Sequence, residues 1–302
     1  MIFLHGGGDN PEYRVETKVR ATMSETDLVA GYSSTGHRLS NASFIDAHYA
    51  ACRKSYEAML RAVGLQSGWH VLDAGCGSGS FLPLMAELVG PHGRIAAFDL
   101  APENIAQVSA LAHEFVTPIA TQIGSLTNLP YADHSFDAIW NANVTQYLTN
   151  DELIQALNEF VRVLKPGGLV AIKESDMTAL QFYPLDPFVY WRFIEKWVGY
   201  QPGFQRVVNL PRWLTNAGLV DVTQATFLEE IRAPLVAEVH DFVAESLRFF
   251  AGEAGKLALS EADMAQWRRC AAPDAPDNPV NHPDFYFRDG MTLVIGTKAA
   301  AR

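Results

Sequence analysis

Cysteine, basic residues and long apolar runs are all scarce in this sequence of 302 residues. Its three cysteines, Cys52, Cys76 and Cys270, are scattered and form no C-x-x-C pair. We therefore expect no disulfide framework, no zinc or other metal site, and a reducing, cytoplasmic environment. No apolar run reaches the roughly 18 residues of a membrane span, so the sequence predicts no membrane partner.

The balance of charge disfavours a further class of partner. The chain has 23 Lys and Arg against 34 Asp and Glu, which gives a formal net charge of -11. Because nucleic-acid phosphates are bound by clustered Lys and Arg, this composition argues against a nucleic-acid substrate. A small-molecule acceptor fits the charge better.

One catalytic motif near the start lacks the partner that it requires. His5-Gly6-Gly7-Gly8 matches the oxyanion-hole loop of lipases, yet the chain contains no G-x-S-x-G elbow. The sequence therefore excludes an esterase of that type.

Residues 1–22 also lack the charged and apolar blocks of a signal peptide, and Met23 is a second candidate start beside Met1.

The most informative stretch is a turn between a strand and a helix. Val71-Leu72-Asp73 is apolar and ends in an acid, and glycines follow at the alternate positions 75, 77 and 79. Glycines are required where a backbone turns tightly and a ligand approaches it, and the next helix begins with unpaired N–H groups. The pattern predicts a nucleotide-binding turn, although its spacing departs from the G-x-G-x-x-G fingerprint of dinucleotide sites.

The run Asp73-Ala74-Gly75-Cys76-Gly77-Ser78-Gly79 resembles motif I of the class I S-adenosylmethionine (SAM)-dependent methyltransferases. The resemblance implies SAM as the cofactor and S-adenosylhomocysteine as its product. It also implies an α/β fold with a doubly wound, seven-stranded, mostly parallel sheet whose last strand is antiparallel. N-terminal helices and helical lid insertions are expected around this core.

Two later stretches match the same family in order and spacing. Residues 124–137 resemble its G-D-A-x-x-L-P-F-x-D-x-S-F-D segment, and Leu164-Lys165-Pro166-Gly167-Gly168 resembles its connection into the fifth strand. The resemblance is nearly continuous from residue 67 to about 175. No N-P-P-Y or D-P-P-Y follows the fourth strand, which disfavours methylation of base or amide nitrogens.

The strand ends supply candidate cofactor ligands. Asp99 ends the second strand, where a carboxylate accepts from ribose hydroxyls; an acid at a helix start is the alternative. The resemblance places adenine at Ser125, which replaces the family's Asp, and the methionine amino group near Asn141. Arg38 lies in a loop expected to cover the cofactor and is assigned to the methionine carboxylate, with a solvent-exposed Arg as the alternative. The complete set is Arg38, Asp73, Gly75, Cys76, Gly77, Asp99, Leu100, Ser125, Leu126 and Asn141.

Three residues are candidates for chemistry on the acceptor. Glu174 ends the fifth strand, at the edge where doubly wound sheets carry their active sites, and is the first candidate for a base or cation stabiliser. An acid that caps the next segment is the alternative. Tyr147, after the fourth strand, is the second candidate. His37 in the covering loop is the third, because histidine titrates near neutral pH.

The sequence divides into a core and flanking segments. We expect an N-terminal arm with the covering loop, an amphipathic helix, the cofactor-binding core, an aromatic lid insertion, and a final part that completes the sheet around a second helical insertion at 233–283. These segments span residues 1–40, 41–66, 67–175, 176–206 and 207–302, respectively.

Aromatic residues are concentrated after the fifth strand. Residues 182–200 are predicted as a helix with more aromatic side chains than one packing face requires. We interpret it as a lid over an apolar or aromatic acceptor, with a dimer or core helix as the alternative. A sixth strand is predicted over 219–227. A closing antiparallel strand is predicted from 285–287 and 291–297, joined through Asp289-Gly290.

Together these features predict a SAM-dependent methyltransferase that acts on a small, apolar or aromatic metabolite of biosynthesis. Both O- and C-methylation are compatible with the sequence, and so is a homodimer. The alternative is a protein on the same fold that binds SAM without transferring its methyl group, such as a cyclase or a regulatory module. Formation of S-adenosylhomocysteine separates the two.

Overall fold

A computed structural model of the protein describes residues 42–200 and 202–300. The predicted cofactor ligand Arg38 and the predicted base His37 lie outside these residues. Within the two described segments, no helix has the length and hydropathy that crossing a membrane requires.

Helices and strands alternate along most of the described chain. The strands are β1 (His70–Ala74), β2 (Arg94–Asp99), β3 (Ile119–Ile123), β4 (Phe136–Ala142), β5 (Leu164–Tyr183), β6 (Leu219–Arg232) and β7 (Tyr286–Lys298). The α-helices are α1 (Ala42–Ala62), α2 (Leu82–Val89), α3 (Pro102–Leu111), α4 (Asn150–Val163), α5 (Pro187–Tyr200), α6 (Leu210–Asn216), α7 (Ala237–Ala254) and α8 (Glu261–Cys270). Short 3-10 segments occur at Ala112–Glu114, Thr145–Tyr147, Pro202–Asn209 and Pro279–Asn281.

The strands form one sheet in the order β3-β2-β1-β4-β5-β7-β6. The first five pair in parallel, whereas β7 pairs antiparallel with both β5 and β6. The strand order reverses between β1 and β4, and the carboxyl ends at such a reversal are where doubly wound sheets bind ligands. The predicted fold class is therefore confirmed.

Helices cover both faces of this sheet. Val71 of β1 faces a core formed with α1, α2 and α3, whereas Leu72 faces a second core formed with α4 and α6. Because consecutive strand residues point to opposite faces, both positions are apolar. A third core joins α5, α7 and α8 to the distal parts of β5 and β7.

We call α5, α7 and α8 the lid. Its centre is aromatic: the Phe193 ring stacks on Trp197 at 5.6 Å and lies 5.1 Å from Trp267 and 5.8 Å from Phe250. Arg192 donates two hydrogen bonds to Asp263, at 2.9 and 2.5 Å, and so ties α5 to α8. Much of the aromatic density after the fifth strand thus packs the lid itself.

Three predicted boundaries are wrong. β5 extends to Tyr183, and the aromatic helix begins only at Pro187. β6 extends to Arg232 rather than ending at Phe227. The closing antiparallel strand, β7, runs continuously through Asp289-Gly290. The cause is mutual pairing: β7 bonds β5 as far as Tyr183 and β6 as far as Arg232, which supplies backbone partners beyond the core sheet.

Close approach of β5 and β7 makes Gly290 sensitive to substitution. A Cβ at Gly290 would lie 2.3 Å from the Ala179 Cβ, so we expect Gly290→Ala to destabilise the protein by roughly 1–3 kcal/mol. Gly252 on α7 has no atom within 4 Å of such a Cβ, and Gly252→Ala should stabilise by about 0.5–1 kcal/mol. Urea unfolding of both variants measures this, and equal midpoints for Gly290→Ala and wild type would contradict it.

Candidate functional site

The glycine turn follows β1 at the point where the strand order reverses. Its first N–H groups, those of Gly75 and Cys76, both donate to the Phe98 carbonyl, at 2.7 and 3.0 Å. Gly75 and Gly79 each have a φ of 87° and Gly77 one of 53°. These left-handed conformations suit glycine and bring the turn against the end of β2.

The space beside the turn is also restricted. A Cβ at Gly75 would lie 2.4 Å from a methyl group of Val144, and one at Gly77 would lie 3.2 Å from Ile45. Ile45 belongs to α1, whose neighbouring Asp46 accepts hydrogen bonds from Ser78 at 2.5 Å and Ser80 at 2.9 Å. The start of α1 therefore lies directly over the glycine turn.

Asp99 connects the turn to the next helix. Its carboxylate accepts from the Gly77 N–H at 2.8 Å, the Ala101 N–H at 2.8 Å and the Asn104 amide at 3.2 Å. Burial raises the pKa of this carboxyl group, and the three donors oppose that rise. Asp99 thus supports both the turn and the start of α3, in line with the alternative reading of an acid at a helix start.

Asp73 and Asn141 carry buried oxygens that lack a partner. Asp73 Oδ2 and Asn141 Oδ1 accept no hydrogen bond, whereas the Asn141 amide donates to the Ala74 carbonyl. Burial, followed by the charge of Asp99, raises the pKa of Asp73 to about 8. Among the described residues, neither Asp73 nor Asp99 forms an ion pair.

These unpaired oxygens decide which kind of ligand the glycine turn fits. Unpaired buried acceptors beside two acids favour a ligand that brings donors and positive charge. They disfavour a pyrophosphate, which would add negative charge to the same site. SAM, with an ammonium and a sulfonium, therefore fits the residues present, whereas a dinucleotide does not.

The remaining predicted cofactor ligands lie at the same edge with unequal exposure. Cys76 is buried, and its burial raises the pKa of the thiol. Leu126 is buried in the second core and Leu100 is half-buried. Ser125 is exposed, with its hydroxyl 2.8 Å from that of Thr127.

Glu174 is buried and holds the turn that follows β4. Its Oε1 accepts from the backbone N–H and the hydroxyl of Thr145, both at 2.7 Å, while Oε2 has no partner. Burial raises the pKa of Glu174. Arg206 clamps the same turn by donating to the carbonyls of Thr145 at 2.8 Å and Leu148 at 2.7 Å.

Tyr147 lies on this clamped turn. Its ring contacts Phe204 edge-on at 5.9 Å, and the side chain is half-buried. The structure therefore brings Tyr147 and Glu174 to one turn at the end of β4, while Asp73 and Asp99 lie at the glycine turn.

A buried polar network at the same sheet edge was not predicted. Lys173 is 0% exposed, and its amine bonds the Tyr56 hydroxyl at 3.2 Å and the Asn143 Oδ1 at 2.7 Å. His48 and Asp289 continue the network from α1 and β7. The available signal was a lysine directly after the apolar run Leu169-Val170-Ala171-Ile172, before the predicted end of the strand at Glu174.

Comparison with known proteins identifies the kind of domain. Residues 71–168 match a family model described as a methyltransferase domain. An uncharacterized 37.1 kDa protein in transposon TN4556 of Streptomyces fradiae is 33% identical over 135 residues, which are 44% of this chain and only 38% of that protein. The demethylmenaquinone methyltransferase of Staphylococcus aureus (strain JH9) is 27% identical over 194 residues, which are 58% of this chain and 78% of that enzyme.

A solved structure supports the fold. The YcgJ protein from Bacillus subtilis superposes with a TM-score of 0.52 at 17% identity and covers 82% of this chain and 100% of its own. At this identity the similarity concerns the arrangement of the sheet and helices.

The raised pKa of Asp73 generates a prediction about stability. Its folded pKa of about 8 exceeds the unfolded value of about 4, so the folded protein holds this proton more tightly. Stability should therefore fall as pH rises from about 4 to about 8, and Asp73→Asn should remove this part of the fall. Urea unfolding across that range measures it.

Asp133→Asn is the matched control, because that carboxylate is exposed and pairs with Arg162 at 2.9 Å. The stability of Asp133→Asn should still fall between about pH 4 and about pH 8 as that of the wild type does, because Asp73 is intact in this variant. Equal pH slopes for wild type and Asp73→Asn would show that the buried carboxyl group does not titrate as described.

Proposed function

We propose that this chain is a class I SAM-dependent methyltransferase that methylates a small, apolar or aromatic metabolite; its residues 71–168 match the model of a methyltransferase domain. The observation that carries the proposal is the glycine turn with its two buried acids and unpaired acceptors. The cofactor is SAM, which supplies a methyl group activated on a positively charged sulfur.

We assign the cofactor contacts to the edge formed by β1, β2 and β4. Asp99 keeps accepting capacity for ribose hydroxyls, since a carboxylate offers about four acceptor positions and three donors already use it. The unpaired oxygens of Asp73 and Asn141 suit the ammonium side of the ligand. Leu100, Ser125 and Leu126 border the adenine side, while Gly75, Cys76 and Gly77 contribute backbone.

The chain contributes alignment and exclusion of water. Methyl transfer is an in-line displacement, so its rate depends on holding the attacking atom about 3 Å from the methyl carbon on the axis of the breaking bond. α1 covers the glycine turn through Asp46, and the clamp of Glu174 and Arg206 fixes the turn after β4. We propose that these contacts hold the cofactor side and the acceptor side of the site in place.

The acceptor class follows from the lid and from one relative. A groove of about 210 Å³ runs along β5 beyond Glu174, and its lining combines aromatic and apolar side chains with polar ones: Thr178, Leu180, Gln181, Phe182, Pro187, Tyr190, Trp191 and Arg288. The Staphylococcus aureus relative acts, by its name, on demethylmenaquinone. Both favour an aromatic acceptor with hydroxyl groups, such as a reduced quinone, whose ring carbon or oxygen is the nucleophile.

The second candidate is a protein that binds SAM and transfers no methyl group. The cofactor edge alone is compatible with it, because Asp73, Asp99 and the glycine turn are needed for binding in either case. Turnover to S-adenosylhomocysteine in the presence of an acceptor supports the enzyme, and binding without turnover across acceptors supports the alternative.

Calorimetric titration with S-adenosylhomocysteine tests the cofactor edge. Asp99→Ala should weaken binding by a factor of about ten or more, because it removes one charge-assisted contact with the ligand. The variant also loses the support that Asp99 gives to the glycine turn. Asp133→Asn is the control and should bind as wild type does. Unchanged affinity in Asp99→Ala would overturn the assignment.

Turnover is measured with demethylmenaquinone that bears a short prenyl chain and is reduced in the assay. Wild type should release S-adenosylhomocysteine and yield a product heavier by one methylene. Mass spectrometry with fragmentation tells whether carbon or oxygen is methylated. Absence of product with this acceptor and with simple naphthols, despite cofactor binding, would contradict the proposed acceptor class.

A further inference from the structure

Asn143, which directly follows β4, has a left-handed backbone with a φ of 59°. Among the described residues, His134 and Asp221 are the other non-glycine residues with a positive φ, and both are exposed. Asn143 is half-buried and lies at the carboxyl edge of the sheet, two residues after Asn141. Asparagine adopts this backbone more readily than most residues, yet such conformations persist at functional sites because surrounding contacts hold them.

Every polar group of Asn143 has a partner. Its N–H donates to the Lys173 carbonyl at 2.8 Å, and its carbonyl accepts from the Gln146 amide at 3.3 Å. Its side-chain oxygen accepts from Lys173 Nζ at 2.7 Å, and its side-chain amide donates to the Tyr56 hydroxyl at 3.4 Å. Lys173 therefore holds Asn143 at two points, one on the backbone and one on the side chain.

The contacts of the Lys173 amine are those of an ammonium. Nζ lies 2.7 Å from Asn143 Oδ1, 3.2 Å from the Tyr56 hydroxyl and 3.5 Å from the Ser175 hydroxyl. All three neighbours offer oxygen lone pairs, and an ammonium has three N–H groups to donate. Nζ also lies 4.5 Å from the centre of the Tyr56 ring, whose face attracts a cation.

The bond to Asn143 is the shortest of these contacts. Burial lowers the pKa of Lys173, and the charges of Asp289, Cys52 and Glu174 oppose that effect. Among the described residues, Lys173 nevertheless forms no ion pair. Because a buried ammonium is costly without good acceptors, the 2.7 Å bond to Asn143 Oδ1 stabilises both residues in this arrangement.

The Tyr56 hydroxyl secures the same pair from α1. Its oxygen accepts from the Lys173 amine and from the Asn143 amide, so its O–H is left to donate to His48 Nε2 at 2.9 Å. The His48 ring in turn stacks on Phe242 of the lid at 4.8 Å. Asn143 is therefore tied to β5 through Lys173 and to α1 through Tyr56.

The neighbours of Asn143 in the chain contact the glycine turn and the strand that leads into it. Val144 lies so close to the turn that a Cβ at Gly75 would come within 2.4 Å of its methyl group. Asn141 donates to the Ala74 carbonyl at 2.5 Å and carries the unpaired Oδ1 assigned to the cofactor. A binding group keeps its geometry only where neighbouring contacts lock it, and rotation of the chain at Asn143 would move both residues.

We propose that Lys173 is a positioning residue for the cofactor: its ammonium locks Asn143 in the left-handed conformation, and Asn143 thereby holds Val144 and Asn141 in place at the glycine turn. Lys173 is 0% exposed and transfers no proton in this role. The inference rests on the part of the proposed function that concerns SAM binding, and it applies whichever acceptor is methylated.

The first test compares two substitutions of Asn143 by calorimetric titration with S-adenosylhomocysteine. Both remove the side-chain contacts, so the ligand must order the turn itself, and Asn143→Gly should bind about tenfold more weakly than wild type. Alanine also disfavours the left-handed backbone that glycine adopts freely, so Asn143→Ala should bind at least about threefold more weakly again. Affinities of both variants equal to that of wild type would overturn the proposal.

His134→Ala is the matched control for Asn143→Ala. His134 has a similar φ of 57° but is exposed and lies before β4, at the opposite end of that strand from Asn143. The control carries the same backbone cost away from the cofactor edge and should bind S-adenosylhomocysteine as wild type does.

The second test asks whether Lys173 acts through Asn143. Lys173→Met removes the ammonium from a side chain of similar length and should weaken S-adenosylhomocysteine binding about tenfold. In the Asn143→Gly background the same change should weaken binding by no more than about twofold, because the contact that carries the effect is already lost. A tenfold effect in both backgrounds would overturn the proposal.

Lys165→Met is the control for Lys173→Met. Lys165 lies at the other end of β5 and pairs with Asp137 at 2.8 Å, away from the cofactor edge. This variant should bind S-adenosylhomocysteine as wild type does.

Asn143→Asp tests the ammonium without removing it. The carboxylate still accepts from Lys173, and aspartate tolerates a left-handed backbone, so binding should stay within about threefold of wild type. This variant decides the matter even if Lys173→Met does not fold. Binding by Asn143→Asp as weak as that by Asn143→Gly would show that Lys173 does not hold residue 143 through its charge.

Urea unfolding separates positioning from a purely structural role. If the contacts only stabilise the fold, Asn143→Gly should unfold at a lower urea concentration while the folded variant keeps the wild-type affinity, and this result would overturn the proposal. If wild type itself does not bind S-adenosylhomocysteine, the proposed function fails and this inference fails with it. If wild type binds and the two substitutions act independently, only the role of Lys173 fails.

Discussion

The carboxylate of Asp99 is the contact on which the cofactor edge depends. Its oxygens accept from the backbone of Gly77 and of Ala101, both at 2.8 Å, and so join the turn after β1 to the start of α3 after β2. The Phe98 carbonyl holds Gly75 and Cys76 from the same strand. Because both sets of bonds originate at the end of β2, contacts within the protein hold the glycine turn at the reversal of strand order.

Buried titratable groups are distributed unevenly around that edge. Asp73 and Asp99 lie on the cofactor side, and burial raises the pKa of each. Lys173 lies on the other side of β4, and burial lowers its pKa. Burial thus favours the neutral form of each of the three groups. A cationic cofactor would act in the opposite direction on Asp73 and Asp99, because its positive charge favours their ionised forms.

The sequence predicted the parts that local motifs define. The glycine turn, the acid at Asp99 and the sheet around them follow from short patterns, because tight turns and strand ends require particular residues. The roles of Asp99 and Glu174 toward ligands stay predictions. The lid boundaries were wrong because β5 and β7 extend by pairing with each other. The contact of Lys173 with Tyr56 joins residues 117 positions apart, and no local pattern encodes it.

Equilibrium dialysis of the wild-type protein against labelled SAM and labelled NAD, each offered alone and in competition, tests the central claim most directly. The two buried acids at the glycine turn, Asp73 and Asp99, predict that SAM binds at one molecule per chain and that NAD neither binds nor displaces it. Binding of NAD with an affinity equal to that of SAM would contradict the account, because a pyrophosphate would then tolerate the two buried carboxyl groups.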